Sequence, residues 1–135
     1  HKQPHCNSSQ FFKYILDDKA SGVFNGRIMV RENSHKTDSS QSNKNLLLSK
    51  NANMHSNPQL EIYTDDVRCT HGSSTGQLSE DALYYLRSRG IETTFAQRLM
   101  VEGFAAEILA NIKDEGTAAY LNKKLTSWLE SLENG

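Results

Sequence analysis

The 135-residue chain carries 15 Lys and Arg against 16 Asp and Glu, a formal net charge of −1, and 36% of its residues are apolar. That length allows one domain with a modest hydrophobic core, and the balanced, scattered charge gives no footprint for nucleic acid or an anionic membrane. No apolar run approaches the roughly 18 residues of a membrane span, so neither a span nor a signal peptide is expected; two cysteines, Cys6 and Cys69, fall far short of a disulfide framework, which points to a reducing, cytoplasmic setting.

Because the sequence opens on His1, a fragment of a longer protein is expected. In residues 11–17, Phe12, Tyr14 and Leu16 alternate with more polar neighbours, the period-two pattern of a half-buried strand. Gly22 opens a second strand in which Phe24, Gly26, Ile28 and Val30 share one face and Asn25 and Arg27 take the other. The interior Gly26 signals a bend or a close approach of neighbouring backbone. Residues 31–45 are rich in Ser, Asn and Asp and read as turn, before an apolar strand resumes at 46–49. A further turn segment, 50–58, leads through Pro58 into a strand at 60–64.

Short strands that return after Asn- and Ser-rich turns, with no tight Asn-Gly or Asp-Gly hairpin, suit the stacked coils of a β-helix and equally a β-sandwich. The sequence shows no clean period to separate the two. Leu60 and Ile62 occupy even positions, whereas Val67, Cys69 and His71 occupy odd ones. The inward parity therefore switches across Asp65-Asp66, which predicts a corner there.

Beyond Gly76 the period becomes helical. Ser79 is the expected N-cap of a short helix with Glu80 and Asp81 in its first turn, Arg87 and Arg89 near its other end, and Gly90 as its stop. Thr94 and Gln97 form a capping-box pattern ahead of a stripe made by Val101, Phe104, Ala105, Ile108 and Ile112. Gly116 separates this helix from a third, striped by Ala118, Leu121, Leu125, Trp128, Leu129 and Leu132. Three amphipathic helices in so short a stretch imply a small helical layer.

Cys69 and His71 stand two residues apart, so in an extended segment both side chains project from one face. Thiolate and imidazole both suit iron or zinc, and a third ligand has to come from elsewhere. On spacing alone Cys69 reads equally as a small buried hydrophobe and His71 as a polar residue near a turn. His5 and Cys6, being adjacent, point to opposite faces and do not chelate together. There is no C-x-x-C pair, no H-E-x-x-H helix and no G-x-S-x-G elbow. Gly72 and Gly76 read as turn glycines ending the strand region, and Asp17-Asp18 and Asp65-Asp66 as turn residues. A non-enzymatic protein is expected.

Taken together, residues 24–30 (FNGRIMV), 36–49 (KTDSSQSNKNLLLS), 57–91 (NPQLEIYTDDVRCTHGSSTGQLSEDALYYLRSRGI) and the helix containing EGFAAEIL resemble the C-terminal part of the SufB/SufD family, scaffold proteins of the SUF iron–sulfur cluster assembly system. The C-T-H-G run from Cys69 to Gly72, with Gly76-Gln77-Leu78 after it, looks like the SufD branch. The resemblance implies a mainly β, then α, fold: residues 1–75 as the last coils of a right-handed parallel β-helix, and residues 76–135 as a small C-terminal helical domain. It implies pairing with a SufB-like scaffold subunit through the β-helix and docking of a SufC-like ABC ATPase on the helical domain. A homodimer of the piece itself is a further expectation, through its open strand edge. His71 is the implied ligand of a nascent iron–sulfur cluster at the partner junction, with Cys69 as a second candidate and no cluster on the isolated piece. The alternative is a purely architectural platform that couples ATPase movement to the scaffold and has no metal contact of its own.

Overall fold

The computed structural model describes residues 1–133. Residues 134 and 135, the last two of the expected helical domain, and the side chain of Leu132 lie outside the described residues. The chain divides into two compact units, His1–Gln77 and Leu78–Gly135.

The first unit holds five strands of equal length: β1 (Asn7–Leu16), β2 (Ser21–Val30), β3 (Asp38–Leu47), β4 (Asn53–Ile62) and β5 (Arg68–Gln77). They alternate between two sheets, β1-β3-β5 and β2-β4. Every pairing is parallel, with Asn7 opposite Asp38, Asp38 opposite Arg68 and Ser21 opposite Asn53. An antiparallel sandwich has no such pairing. Successive strands of one sheet thus return after about 30 residues, which the contacts Ser8–Ser39 and Asn45–Thr75 span across 31 and 30 residues.

The turn reading of residues 31–45 and 50–58 was wrong over most of both stretches. Residues 38–45 are strand, with Ser39, Gln41, Asn43 and Asn45 all buried on its inward face. These side chains satisfy much of their polarity within the unit, so an inward face of this kind is not excluded by the cost of burying amides and hydroxyls. Ser8 and Ser39 hydroxyls meet at 2.8 Å, Gln41 Nε2 donates to Gln10 Oε1 at 2.7 Å, and Asn45 Nδ2 donates to Asn43 Oδ1 at 2.8 Å. β4 begins at Asn53 and takes Pro58 in its interior. Its sheet has no second neighbour for β4 among the described residues, which is the edge position a residue without N–H tolerates.

The apolar core of this unit comes from β2 and β3. Phe24, Ile28 and Val30 are buried on the face expected for them, and Leu46 and Ala52 join them. Phe12 touches Phe24, with ring centres 4.9 Å apart, yet remains 41% exposed because β1 has a neighbour on one side only. Gly26 does mark a close approach, but of a side chain and not of backbone. A Cβ at Gly26 would lie 2.6 Å from Gln41 Nε2 and 2.7 Å from its Oε1.

The corners recur where the residue types do not. His5, Lys36 and Asp66 stand just before β1, β3 and β5 and adopt left-handed φ values of 57°, 57° and 56°. The His5 amide donates to the His35 carbonyl at 3.0 Å, and the Lys36 amide to the Asp66 carbonyl at 2.7 Å, which ties each corner to the next. The parity switch across Asp65-Asp66 is this corner.

The second unit contains α1 (Glu80–Ser88), α2 (Thr93–Leu109) and α3 (Glu115–Glu133). Ser79 caps α1 by accepting from the Ala82 amide at 3.2 Å, and Gly90, at φ 85°, donates to Arg87 to end it. The capping box at Thr94 does not form. The helix starts two residues earlier, because the Glu92 carboxylate reaches the Thr94 and Phe95 amides at 2.9 and 3.2 Å and accepts from the Thr94 hydroxyl as well. Those bonds hold the Glu92 carboxyl below the usual range, the Thr94 hydroxyl contributing most. Gly116 is not a separator. It lies in the first turn of α3, which Asp114 caps through the Thr117 amide at 2.7 Å. Ile112 falls past the end of α2, and its helix buries Ala96, Val101 and Ala105 with Phe104 and Ile108 half-buried. Leu129 is buried in α3.

Candidate functional site

The sequence candidates Cys69 and His71 both lie on β5, the last strand of the first unit. β5 is hydrogen-bonded to β3 alone, so among the described residues its second edge is open. Register places Cys69 opposite Ser39, His71 opposite Gln41, Ser73 opposite Asn43 and Thr75 opposite Asn45. Parallel in-register strands keep paired residues on the same face of the sheet. Cys69 and His71 therefore project from the face on which β3 carries its buried polar row. The contacts further along β5 follow the same rule: Ser73 Oγ donates to Ser56 Oγ on β4 at 2.7 Å, and Thr75 Oγ1 accepts from Asn45 Nδ2 at 3.1 Å.

Lying on the outermost strand, this face of β5 has no further strand above it. His71 is exposed and Cys69 half-buried. Partial burial pushes the Cys69 thiol up from its ordinary range, and the Asp38 carboxylate pushes it the same way; a bond from the Ser39 backbone offsets part of this. Asp38 is itself held near Arg68, at 3.9 Å, in a solvent-exposed pair. Cys69 is thus a thiol until a metal displaces its proton. Gly72 and Gly76 sit inside β5 and do not end it, with open space where a Cβ would stand.

What the strand brings together is two soft or borderline donors, imidazole and sulfur, a pair that suits iron. No group of three or more His, Cys, Asp or Glu side chains with metal-holding geometry occurs among the described residues. Cys6 and Cys69 are both free, and Cys6 Sγ lies 3.8 Å from the Pro4 carbonyl. His5 turns at its corner toward His35, with ring centres 5.8 Å apart, and takes no part in the site.

The polar row beneath the site was missed by sequence reasoning. Three of its atoms, Gln41 Oε1, Asn43 Nδ2 and Asn45 Oδ1, are buried without a hydrogen-bond partner. Alternation was present in the sequence at Ser39, Gln41, Asn43 and Asn45, but with polar residues on both faces it left no hydrophobic signal.

The model of the SUF system FeS cluster assembly, SufBD core domain, matches residues 1–104 of the chain. The chain belongs to the SufBD family. The match takes in all five strands, α1 and most of α2. Among curated relatives, the iron–sulfur cluster assembly protein SufD of Escherichia coli strain K12 is 46% identical over 116 residues, which are 86% of this chain and 27% of that protein. A SufBD family protein of Synechocystis is 40% identical over 109 residues, 81% of this chain and 24% of the relative. SufD of Bacillus subtilis strain 168 is 36% identical over 116 residues, 86% of this chain and 26% of the relative. The chain therefore spans about a quarter of the length of these relatives. No helix among the described residues is long and apolar enough to cross a membrane.

Proposed function

We propose that this chain is the C-terminal part of a non-enzymatic scaffold subunit for iron–sulfur cluster assembly, and that His71 is a ligand of the nascent cluster, with Cys69 beside it. The cluster is the cargo of the assembly and not a resident cofactor. The observation that carries the reading is the placement of the pair: both donors lie on β5, an edge strand of the three-stranded sheet, the imidazole exposed, with no third donor grouped with them among the described residues. Two ligands do not complete an iron site, so the set is closed by a second chain that meets this edge. A SufB-like scaffold subunit is that chain in this reading.

The two parallel sheets are the last coils of a right-handed β-helix, in residues 1–75. Crossovers between parallel strands of one sheet are right-handed in about 98% of proteins, which supports that hand. An edge made of ten-residue strands offers a second β-helix a row of unpaired backbone groups on which to continue, and the same edge would serve a homodimer of the isolated piece. The helical domain, residues 76–135, docks a SufC-like ABC ATPase. Its exposed Tyr84, Tyr85 and Tyr120 give that docking aromatic anchors. Two unpaired cysteines are in keeping with a reducing cytoplasm.

The test is His71→Ala in the full-length protein within its complex. Folding and complex formation stay intact and cluster yield falls, since the exposed ring supports no core packing. A yield equal to wild type removes His71 from the ligand set and leaves the architectural platform, in which the strands transmit ATPase movement without touching metal.

A further inference from the structure

Gln41 is a member of the buried polar row with one end of its amide paired and the other not. It is 2% exposed, its Nε2 donates to Gln10 Oε1 at 2.7 Å, and its Oε1 has no partner. Burying a carbonyl oxygen unpaired costs free energy, so such an atom asks for an explanation. Gly26 shows how firmly the amide is seated, because a single added methyl there would fall within 2.7 Å of both of its polar atoms.

In this structure the exposed His71 ring makes no bond to this oxygen, but register makes it the candidate donor, reached by turning the ring inward. Gln10, Gln41 and His71 are consecutive residues of one column, paired across β1, β3 and β5. Strands in a sheet stand about 4.8 Å apart, a spacing across which side-chain amides hydrogen-bond in ladders. An amide that sends its N–H to one neighbour in such a ladder presents its carbonyl to the neighbour on the other side. For Gln41 that neighbour is His71, whose ring carries an N–H in either neutral tautomer.

We propose that Gln41 is the positioning residue of His71: its Oε1 accepts the proton-bearing ring nitrogen of His71, which fixes tautomer and ring orientation and turns the other nitrogen's lone pair toward the open edge. The inference rests on His71 being a cluster ligand for its functional meaning, and on the column geometry alone for the hydrogen bond. Ligating histidines are oriented in this way by a carbonyl, carboxylate or water behind them, and removing that support costs about 10–100-fold in metal affinity or activity.

The experiment uses the full-length protein with ring-15N-labelled histidine, the His71 signals being assigned by their loss in His71→Ala. At about pH 8, above the range in which imidazole ordinarily protonates, the wild-type protein shows two well-separated ring-nitrogen shifts for His71, those of one fixed tautomer. In Gln41→Met, which keeps length and removes the acceptor, the two shifts move toward the averaged values of a mobile ring, and cluster yield in the complex drops about tenfold or more. Gln41→Glu keeps an acceptor at the same reach and restores the separation, Gln10 turning its amide to donate. Should Gln41→Met fail to fold, Gly26→Ala displaces the same amide from the opposite sheet and collapses the separation in its place. Ring-nitrogen shifts that stay at wild-type values in Gln41→Met or Gly26→Ala overturn the inference, whatever His71→Ala does to yield. Collapse of the separation together with a normal yield in His71→Ala supports the hydrogen bond and overturns the ligand reading alone.

Discussion

At the scale of single residues, Cys69 and His71 were legible because strand geometry puts residues two apart on one face, whatever the fold around them. Their difference was not legible. Exposure separates them, and exposure here comes from β5 being the outermost strand, a property of the sheet order and not of the local sequence. The electrostatics of Cys69 follow from the same strand pairing, since register sets Asp38 opposite Arg68, one residue from the thiol. Burial and that carboxylate both favour the neutral thiol. Asp38→Asn removes one of the two, lowers the thiol's pKa, and raises the thiolate fraction at neutral pH. Alkylation of Cys69 by iodoacetamide, followed by mass spectrometry at pH 7, is therefore expected to be faster in Asp38→Asn than in wild type. An unchanged or slower rate would show that the carboxylate does not reach the thiol.

At the scale of elements, the β2 strand and α1 could be read from the chain because their signals are local: a period-two apolar face ending in the fully buried Val30, and an Ser79 cap with acids in the first turn. β3 could not. Its inward positions are Ser39, Gln41, Asn43 and Asn45, the residue types that ordinarily mark turns, and they are tolerated inside because neighbouring strands supply partners. Asn43 is the centre of that arrangement. It is 0% exposed, and its Oδ1 accepts from Asn45 Nδ2 at 2.8 Å and Ser56 Oγ at 2.6 Å. Asn43→Ala leaves the half-buried Ser56 hydroxyl without its acceptor and the buried Asn45 amide with one partner fewer, and is expected to destabilise the β unit by about 1–3 kcal/mol, read as a shift in the chemical-denaturation midpoint of the full-length protein. A loss well below that range would mean that water reaches the row. The capping box expected at Thr94 failed for a different reason, because Glu92, two residues earlier, caps the helix through the Thr94 and Phe95 amides and so places Thr94 inside its first turn.

At the scale of the whole molecule, the change from strands to helices was readable from the period of the sequence. The coil repeat was not readable. What recurs about every 30 residues is a backbone state, the left-handed corner, and it is filled by His, Lys and Asp in turn, so no residue type repeats with it. Position in such a stack gives each column its meaning: the interior member is buried and polar, and the outermost member, on β5, carries the donors toward an open edge. We propose that this open edge holds half of a ligand set, and hyperfine spectroscopy detects its histidine nitrogen. In the full complex, assembled with 15N-histidine and carrying a one-electron-reduced nascent cluster, pulsed electron paramagnetic resonance should show a directly coordinated histidine nitrogen that disappears in His71→Ala. A coupling that persists in His71→Ala, or is absent from the wild-type cluster, would contradict it.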